Sequence, residues 1–255
     1  MISYAFINYK GGVSKSVSSV NVASILQHKG YKVLLIDADP QTNASDTYRA
    51  VIDGEATLYD CWLERGKHRE NIMDCIQHTE IGDIVAGDPL INEADSKLNN
   101  ASTGVDMTTF KEMLDSVEGY DYVIVDCPPA IGAISKRVMA AVDKLVVPVV
   151  ADRYAIKGIQ LLWDTFQDVK ENFNPKVQIE GILLAMFDTR TNNNKEIYSS
   201  LVEIADALDT KVFNSYIRTC SKVKEAQARR QTLINYAPKC TACEDYLEFV
   251  DELIG

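Results

Sequence analysis

The chain has 255 residues, a length that suits one large α/β domain or two small ones. Its apolar fraction of 46% is ordinary for a globular protein, and no uninterrupted apolar run approaches the roughly 20 residues that a membrane span needs. The net charge of −11 excludes a surface that is basic throughout, so any nucleic-acid contact has to be local.

The N-terminus is strand-like and leads directly into a glycine loop. It therefore reads as neither a signal peptide nor a tail, and the cytoplasm is the expected compartment. An apolar run over residues 2–7 is followed by Asn8-Tyr9-Lys10-Gly11-Gly12-Val13-Ser14-Lys15-Ser16, and then by a helical run over 17–28. Strand, glycine loop and helix in that order are the setting of a phosphate-binding loop. Glycines let successive backbone N–H groups point into one concavity, and the helix N-terminus adds its partial positive charge. Lys15 would reach the β- and γ-phosphates of a nucleotide, and the Ser16 hydroxyl would bind Mg²⁺. The fit to GxxxxGK[ST] is imperfect, with Asn8 at the first glycine and Ser14 at the last. The same residues also fit an ordinary glycine turn between a strand and a helix.

The first helix should stop at Gly30. Residues 32–36 then read as a buried parallel strand, ending in Asp37-Ala38-Asp39-Pro40-Gln41. Ligands of doubly wound sheets sit at the carboxyl ends of strands, which places these carboxylates beside the loop; a plain strand-end turn is the alternative. Residues 57–63 suggest a short amphipathic helix, 81–86 a strand, and 110–117 a helix ending at Gly119, with no strong chemical motif between 44 and 119. Tyr120-Asp121-Tyr122-Val123-Ile124-Val125-Asp126-Cys127-Pro128-Pro129 is an apolar strand that delivers one carboxylate at its end. That is the Walker B arrangement, in which Asp126 holds Mg²⁺.

Strands are expected over 144–150, 179–187 and 212–217. Helices are expected over 154–172, which contains Gly158, and over 202–208. Ser221 can cap a helix that runs to Arg230, and an acidic last helix spans about 241–253. The alternation implies a doubly wound, mostly parallel β-sheet flanked by helices, in one domain over residues 1–255. The six cysteines lack a framework spacing, and Cys240-Thr-Ala-Cys243 has no second ligand pair for a zinc, so these two read as ordinary helix-start cysteines. Between Lys211 and Lys239 there are seven basic residues and one acidic residue, so that window is +6 against −17 for the remainder.

Lys10-Gly11-Gly12-x-x-Lys15-Ser16 resembles the deviant Walker A loop of the ParA/MinD class of ATPases, with Lys10 as its extra early lysine. Asp37–Gln41 with Asn43 resembles the family's DxDPQ motif. Asp126–Pro129, Asp188-Thr189-Arg190-Thr191, residues 217–226 and Tyr236-Ala237-Pro238 extend the likeness to ParA/Soj-type DNA-partition ATPases over nearly the whole chain. The resemblance implies a P-loop NTPase fold that binds ATP and Mg²⁺, and a homodimer facing across two nucleotides. Lys10, Gly11, Gly12, Val13, Ser14, Lys15, Ser16 and Val17 would bind nucleotide. Ser16, Asp37 and Asp126 would form the metal shell, and Lys10, Lys15 and Asp39 would be catalytic. In these roles Lys10 reaches the partner's phosphates and Asp39 positions water. The ATP-bound dimer would bind DNA without sequence preference, as a nucleoid-associated protein, in the partition of a plasmid or chromosome. A ParB-type centromere-binding partner would stimulate hydrolysis. Arg190, Lys195, Arg218, Lys222, Lys224, Arg229 and Arg230 are the DNA-contact candidates. The loop starts at residue 8, leaving no room for an N-terminal helix-turn-helix, so operator-specific repression is not expected.

Three residues depart from the family pattern. Ser14 puts a Cβ into a loop built for close phosphate approach, Val17 loses a hydroxyl, and Ala185 stands where relatives often carry Thr near the base. ATP binding with slow hydrolysis is the expectation. Two other readings are a nucleotide-dependent DNA-binding scaffold with little or no turnover, for which Ser14 speaks, and a MinD-like positioning ATPase. The second needs a basic amphipathic C-terminal helix, whereas this C-terminus is acidic, so no membrane partner is expected. A ligase or amidotransferase-like enzyme on the same fold is a third; no added substrate domain is seen.

Overall fold

The computed structural model describes residues 1–63, 70–92, 107–188, 190 and 192–255. Among these, eight strands form one sheet: β1 (Ile2–Phe6), β2 (Val33–Asp37), β3 (Ile76–His78), β4 (Asp83–Val85), β5 (Tyr122–Asp126), β6 (Lys144–Val150), β7 (Gln178–Phe187) and β8 (Val212–Arg218). Their order is β3-β4-β2-β5-β1-β6-β7-β8. All neighbours pair in parallel except β3 and β4. The expected mostly parallel, doubly wound sheet is therefore present. The antiparallel β3 is the addition, and at three residues it is too short to leave a periodic signal.

The helices are α1 (Lys15–His28), α2 (Asn43–Tyr48), α3 (Thr109–Asp115), α4 (Ala133–Ala141), α5 (Ala155–Asn172), α6 (Asn192–Ala207), α7 (Ser221–Ala228), α8 (Leu233–Tyr236) and α9 (Thr241–Ile254). Successive residues of the central strands feed opposite faces. Ala5, Ile7, Val123 and Val125 join one core, with Ile134, Val138, Ile159 and Phe166 of α4 and α5. Tyr4, Phe6 and Ile124 join the other, with Ile25 and Leu26 of α1 and Tyr246, Phe249 and Val250 of α9. Covered on both faces, these strands appear in the sequence as unbroken apolar runs.

Gly30 ends α1 as anticipated. At φ 96 it follows Lys29, with its own N–H donating to the Gln27 carbonyl and that of Tyr31 donating to the Leu26 carbonyl, which is a Schellman motif. The α4 helix has no counterpart in the sequence reading. Almost all of it is buried, including Ser135 and Arg137, and at nine residues it is short for a periodic signal. The α6 helix begins ten residues earlier than the pattern over 202–208 suggests. Its Asn-rich first turn has poor propensity, but the Asn194 amide donates to the Asp188 carbonyl at 2.9 Å and anchors the start. Ser221 is not the cap of α7: the chain enters that helix through Cys220, in an extended conformation, with no side-chain capping bond.

Small polar residues let α1 approach α8 and α9 closely while keeping every hydroxyl and amide bonded. Ser18 Oγ lies 2.9 Å from the Tyr246 hydroxyl, and Ser24 Oγ donates to Thr232 Oγ1 at 3.0 Å. Asn21 Oδ1 accepts from the Leu233 N–H at 2.8 Å. The helix behind the glycine loop is thus fastened to the C-terminal helices through satisfied buried polar pairs. At the far edge of the sheet, the Gly181 backbone lies under the Phe213 ring, and an added Cβ would stand 2.7 Å from it. Gly181→Ala is therefore expected to destabilise the protein by about 1–3 kcal/mol through overpacking, read as a lowered midpoint in chemical denaturation.

Candidate nucleotide and metal site

Strand order brings the expected motifs together. β5 lies between β2 and β1, and Asp126 is in register with both Asp37 and Phe6. The ends of β2 and β5 and the loop that follows β1 therefore meet at one point of the sheet's carboxyl edge, where doubly wound folds hold ligands.

The loop keeps the path of a phosphate loop despite its two substitutions. Asn8 is buried; its amide donates to the Pro148 carbonyl at 2.6 Å, and its Oδ1 accepts from the Lys10 N–H at 3.0 Å. It thereby ties the loop to β6. Gly12 is at φ 74, and Ser14 is at φ 68, ψ 25 in the left-handed region. Ser14 stands in a backbone conformation that glycine favours, and a non-glycine residue there carries strain of about 1–3 kcal/mol. The crowding expected from its Cβ is absorbed as φ strain rather than as a changed loop. Helix α1 starts immediately after it, at Lys15.

Lys15 is buried, and its ammonium donates to the Lys10 carbonyl at 2.9 Å. Burial lowers its pKa, against the opposing pull of Asp126. Lys10 itself points the other way. Its ammonium pairs with Asp152 beyond β6 and lies 5.9 Å from the centre of the Tyr154 ring. Its side chain is about half exposed and is not among those lining the cleft of its own chain.

The three carboxylates have distinct surroundings. Asp37 is fully buried; Oδ1 accepts from the Asp39 N–H at 3.1 Å, and Oδ2 accepts from both the N–H (2.8 Å) and the hydroxyl (2.7 Å) of Ser45. Burial still pushes its pKa up to about 6. Asp126 is equally buried. The Ser16 hydroxyl approaches it, but neither carboxylate oxygen has a hydrogen bond of ordinary geometry. Burial, then the charge of Asp37, raises its pKa well above the usual carboxylate range. Asp39 Oδ1 accepts from the Gln41 N–H at 2.9 Å, and burial raises its pKa while Lys15 lowers it. Of the expected metal shell, Asp37 is fully employed in shaping its own loop, whereas Asp126 and Ser16 face each other with oxygens to spare. Two unpaired, buried carboxylate oxygens next to a serine hydroxyl form the donor set of a hard divalent cation.

In front of these residues opens a cleft of about 420 Å³. One wall is the loop from Gly11 to Val17, without Val13, which is buried beneath it. The floor carries Asp39, Gln41 and Asn43, and Pro129 closes one side. The opposite wall was not anticipated: Met186, at φ 52 after Ala185, then Ile217, Thr219 and Cys220, with Val223, Lys224 and Gln227 of α7. This wall is largely apolar and suits a planar base. Residues 217–226 carry part of the family likeness, but the wall itself is assembled from three separate elements. Gly87 was also missed. Its N–H donates to Ser45 Oγ at 2.8 Å, and a Cβ there would meet the Asp37 carbonyl oxygen at 2.8 Å. Only the absence of a side chain lets the end of β4 close over Asp37.

The DNA-contact candidates do not form one open patch. Arg218 clamps Asp245 of α9 with Nη2 at 2.5 Å and Nε at 2.9 Å, Lys222 pairs with Glu225 at 2.7 Å, Arg190 with Asp188 at 2.8 Å, and Arg230 with Asp46. Lys224 and Arg229 have no ion pair among the described residues; Arg229 lies 5.5 Å from the centre of the Tyr236 ring. The side chain of Lys195 lies outside the described residues, as do Thr189 and Thr191.

Sheet order, glycine loop and paired strand-end carboxylates define a nucleoside triphosphatase of the phosphate-loop class. The chain belongs to the AAA domain family AAA_31, whose model matches residues 1–179, and within it to the ParA/Soj type. It is 31% identical to the sporulation initiation inhibitor protein Soj of Bacillus subtilis over 98% of this chain and 96% of that one. It is 30% identical to the chromosome partitioning protein ParA of Myxococcus xanthus, over 97% and 86% respectively. Among solved structures, apo McdA of Cyanothece superposes with a TM-score of 0.86 at 22% identity over the full length of both chains. The cell division ATPase MinD of Pyrococcus furiosus gives 0.78 at 17% identity, over 99% and 98% of the two chains. These two share the fold.

The unpaired carboxylate has a measurable consequence. Replacing a buried, unbonded carboxyl group, whose ionisation burial and Asp37 already oppose, by its neutral amide removes the remaining cost of ionising it there. Asp126→Asn is therefore expected to raise the melting temperature of the nucleotide-free protein at pH 7.5, by about 1–2 kcal/mol of stability. Mg²⁺ should then no longer raise it further. Gly87→Ala should do the opposite, displacing Asp37 and lowering the melting temperature.

Proposed function

We propose that the chain is a Mg²⁺- and ATP-dependent dimerising ATPase that binds DNA without sequence preference in its ATP state. On this reading it moves a plasmid or chromosome with a ParB-type partner. The observation that carries the proposal is a cleft lined by a positive-φ glycine-type loop, a buried lysine and Ser16, with Asp126 buried directly behind Ser16 and Lys15. A cobyrinic acid a,c-diamide synthase of Mycobacterium smegmatis with the same fold (TM-score 0.82, 22% identity) holds an ATP analogue and magnesium, which supports the ligand assignment.

In this reading the loop N–H groups and the N-terminus of α1 cradle phosphates. Lys15 exchanges the Lys10 carbonyl for a phosphate oxygen. Ser16 and Asp126 hold Mg²⁺, with Asp37 behind them setting the Asp39 loop. When bound, the ion neutralises phosphate charge, which is most of what phosphoryl transfer asks of a protein. Asp39 orients the attacking water. Lys10 leaves Asp152 and extends to the phosphates of a second copy, so turnover depends on dimerisation. Helix α7 links this chemistry to DNA: Val223, Lys224 and Gln227 line the cleft, while Arg229 at its end makes no direct ion pair among the described residues and feels Glu225 only at longer range. Neutralisation of phosphates by such residues gives binding that weakens steeply with salt.

The MinD-like reading requires a free apolar face on the last helix. Here Tyr246, Phe249, Val250 and Leu253 spend that face on the core.

Lys15→Ala should abolish Mg²⁺-ATP binding in isothermal titration. Lys10→Ala should keep binding within about threefold while turnover falls at least about a hundredfold, as for loss of one transition-state cation. Ser14→Gly should change turnover by less than about threefold, since the backbone need not move. DNA retention should require ATP and disappear between low and moderate salt; equal retention without nucleotide would refute the reading.

A further inference from the structure

Cys220 and Cys240, twenty residues apart in sequence, meet beside the cleft. Cys220 leads from β8 into α7, and Cys240 leads from a turn into α9; each occupies the N-cap position of its helix. The Arg218–Asp245 clamp fastens the two helix starts side by side, and Arg218 Nη2 also reaches the Thr241 carbonyl at 3.5 Å. The sulfur of Cys220 consequently faces the N–H of Lys222 on its own helix, the N–H of Ala242 and the hydroxyl of Thr241 on the other, and the sulfur of Cys240. Both thiols are part-exposed, whereas Cys243 is buried in the core. Cys220 also lines the cleft.

From this geometry we infer that Cys220 and Cys240 are a redox pair, closed to a disulfide by hydrogen peroxide, and that the bridge weakens nucleotide binding. Two helix N-termini converging on one sulfur favour its thiolate, and the pKa of Cys220 is indeed lowered by those neighbours although burial opposes them. The Cys220 thiolate attacks the peroxide, forming a sulfenic acid and releasing hydroxide, which takes up a proton as water. The Cys240 sulfur then attacks the sulfenic sulfur, and the departing hydroxyl leaves with the Cys240 proton as a second water. Two thiols are oxidised and one peroxide is reduced. Bond formation draws the sulfurs to about 2.05 Å, which pulls the start of α7 towards α9. Val223 and Lys224 follow it and the cleft wall shifts. Oxidative conditions would in this way release the protein from its nucleotide-bound state, a regulation that rests on the nucleotide reading above.

The test uses the full chain, reduced with dithiothreitol or oxidised with stoichiometric hydrogen peroxide. Peptide mapping of the oxidised protein should find Cys220 joined to Cys240; a Cys240–Cys243 link, or no link, overturns the inference. Titration with Mg²⁺-ATP should show affinity lowered at least about fivefold by the bridge and restored by reductant, as expected when a strained, part-exposed disulfide is reducible. Unchanged affinity in the bridged protein overturns the regulatory role. Cys240→Ser should bind nucleotide like the reduced chain and, with peroxide, stop at a Cys220 sulfenic acid trapped by dimedone with no linked peptide; absence of dimedone labelling at Cys220 in this variant overturns the pair. If the reduced chain fails to bind ATP while the Cys220–Cys240 peptide still forms, the nucleotide reading fails and the thiol chemistry stands.

Discussion

Asp37 and Asp126 end adjacent strands in register, and both are cut off from solvent. Two carboxylates at such close quarters cannot both ionise cheaply without a compensating cation. The structure treats them unequally. Asp37 receives three hydrogen bonds from its own surroundings, while Asp126 receives none of ordinary geometry. The rest of the site follows from that imbalance. Lys15 is drawn into a buried position against its own desolvation, and Gly87 and Ser45 are needed to close over Asp37. The vacant oxygens of Asp126 are left to face the start of α1.

A second consequence concerns what the cleft touches. Its phosphate side is a rigid part of the central sheet, with α1 fastened to α8 and α9 by satisfied polar contacts. Its other wall is α7, an eight-residue helix with Lys222 and Lys224 among its exposed residues. A nucleotide, a second copy of the chain and a bridge between Cys220 and Cys240 would all act through its position. Differential interaction with two placements of one short element is enough to couple sites.

Charge on the page is not charge available. The basic window from Lys211 to Lys239 stands out against an acidic remainder, yet Arg218, Lys222 and Arg230 are each engaged by a carboxylate from α9, α7 or α2. Arg218 in particular works as a structural clamp between β8 and α9. An exposed ion pair is worth little, so DNA could recruit Lys222 or Arg230 at small cost. Arg218, clamped to an almost fully buried Asp245, is the least free of them.

The sequence alone determined whatever depends on short-range spacing. The loop before α1 and the carboxylates that end β2 and β5 are runs of a few residues whose physics is local: small side chains where backbone N–H groups must converge, and a charge directly after a buried strand. Burial on both faces likewise made the central strands legible as apolar runs. What only the tertiary structure decided is everything assembled from distant segments. Strand order placed Asp126 between β1 and β2, and α4 stayed unread because at nine residues it is short for a periodic signal. The assembly of the apolar wall from Met186, Ile217 and Val223, the clearance at Gly87 and the meeting of Cys220 with Cys240 have no signature in the chain. They arise from long-range packing, which brings together residues whose neighbours in sequence say nothing about each other.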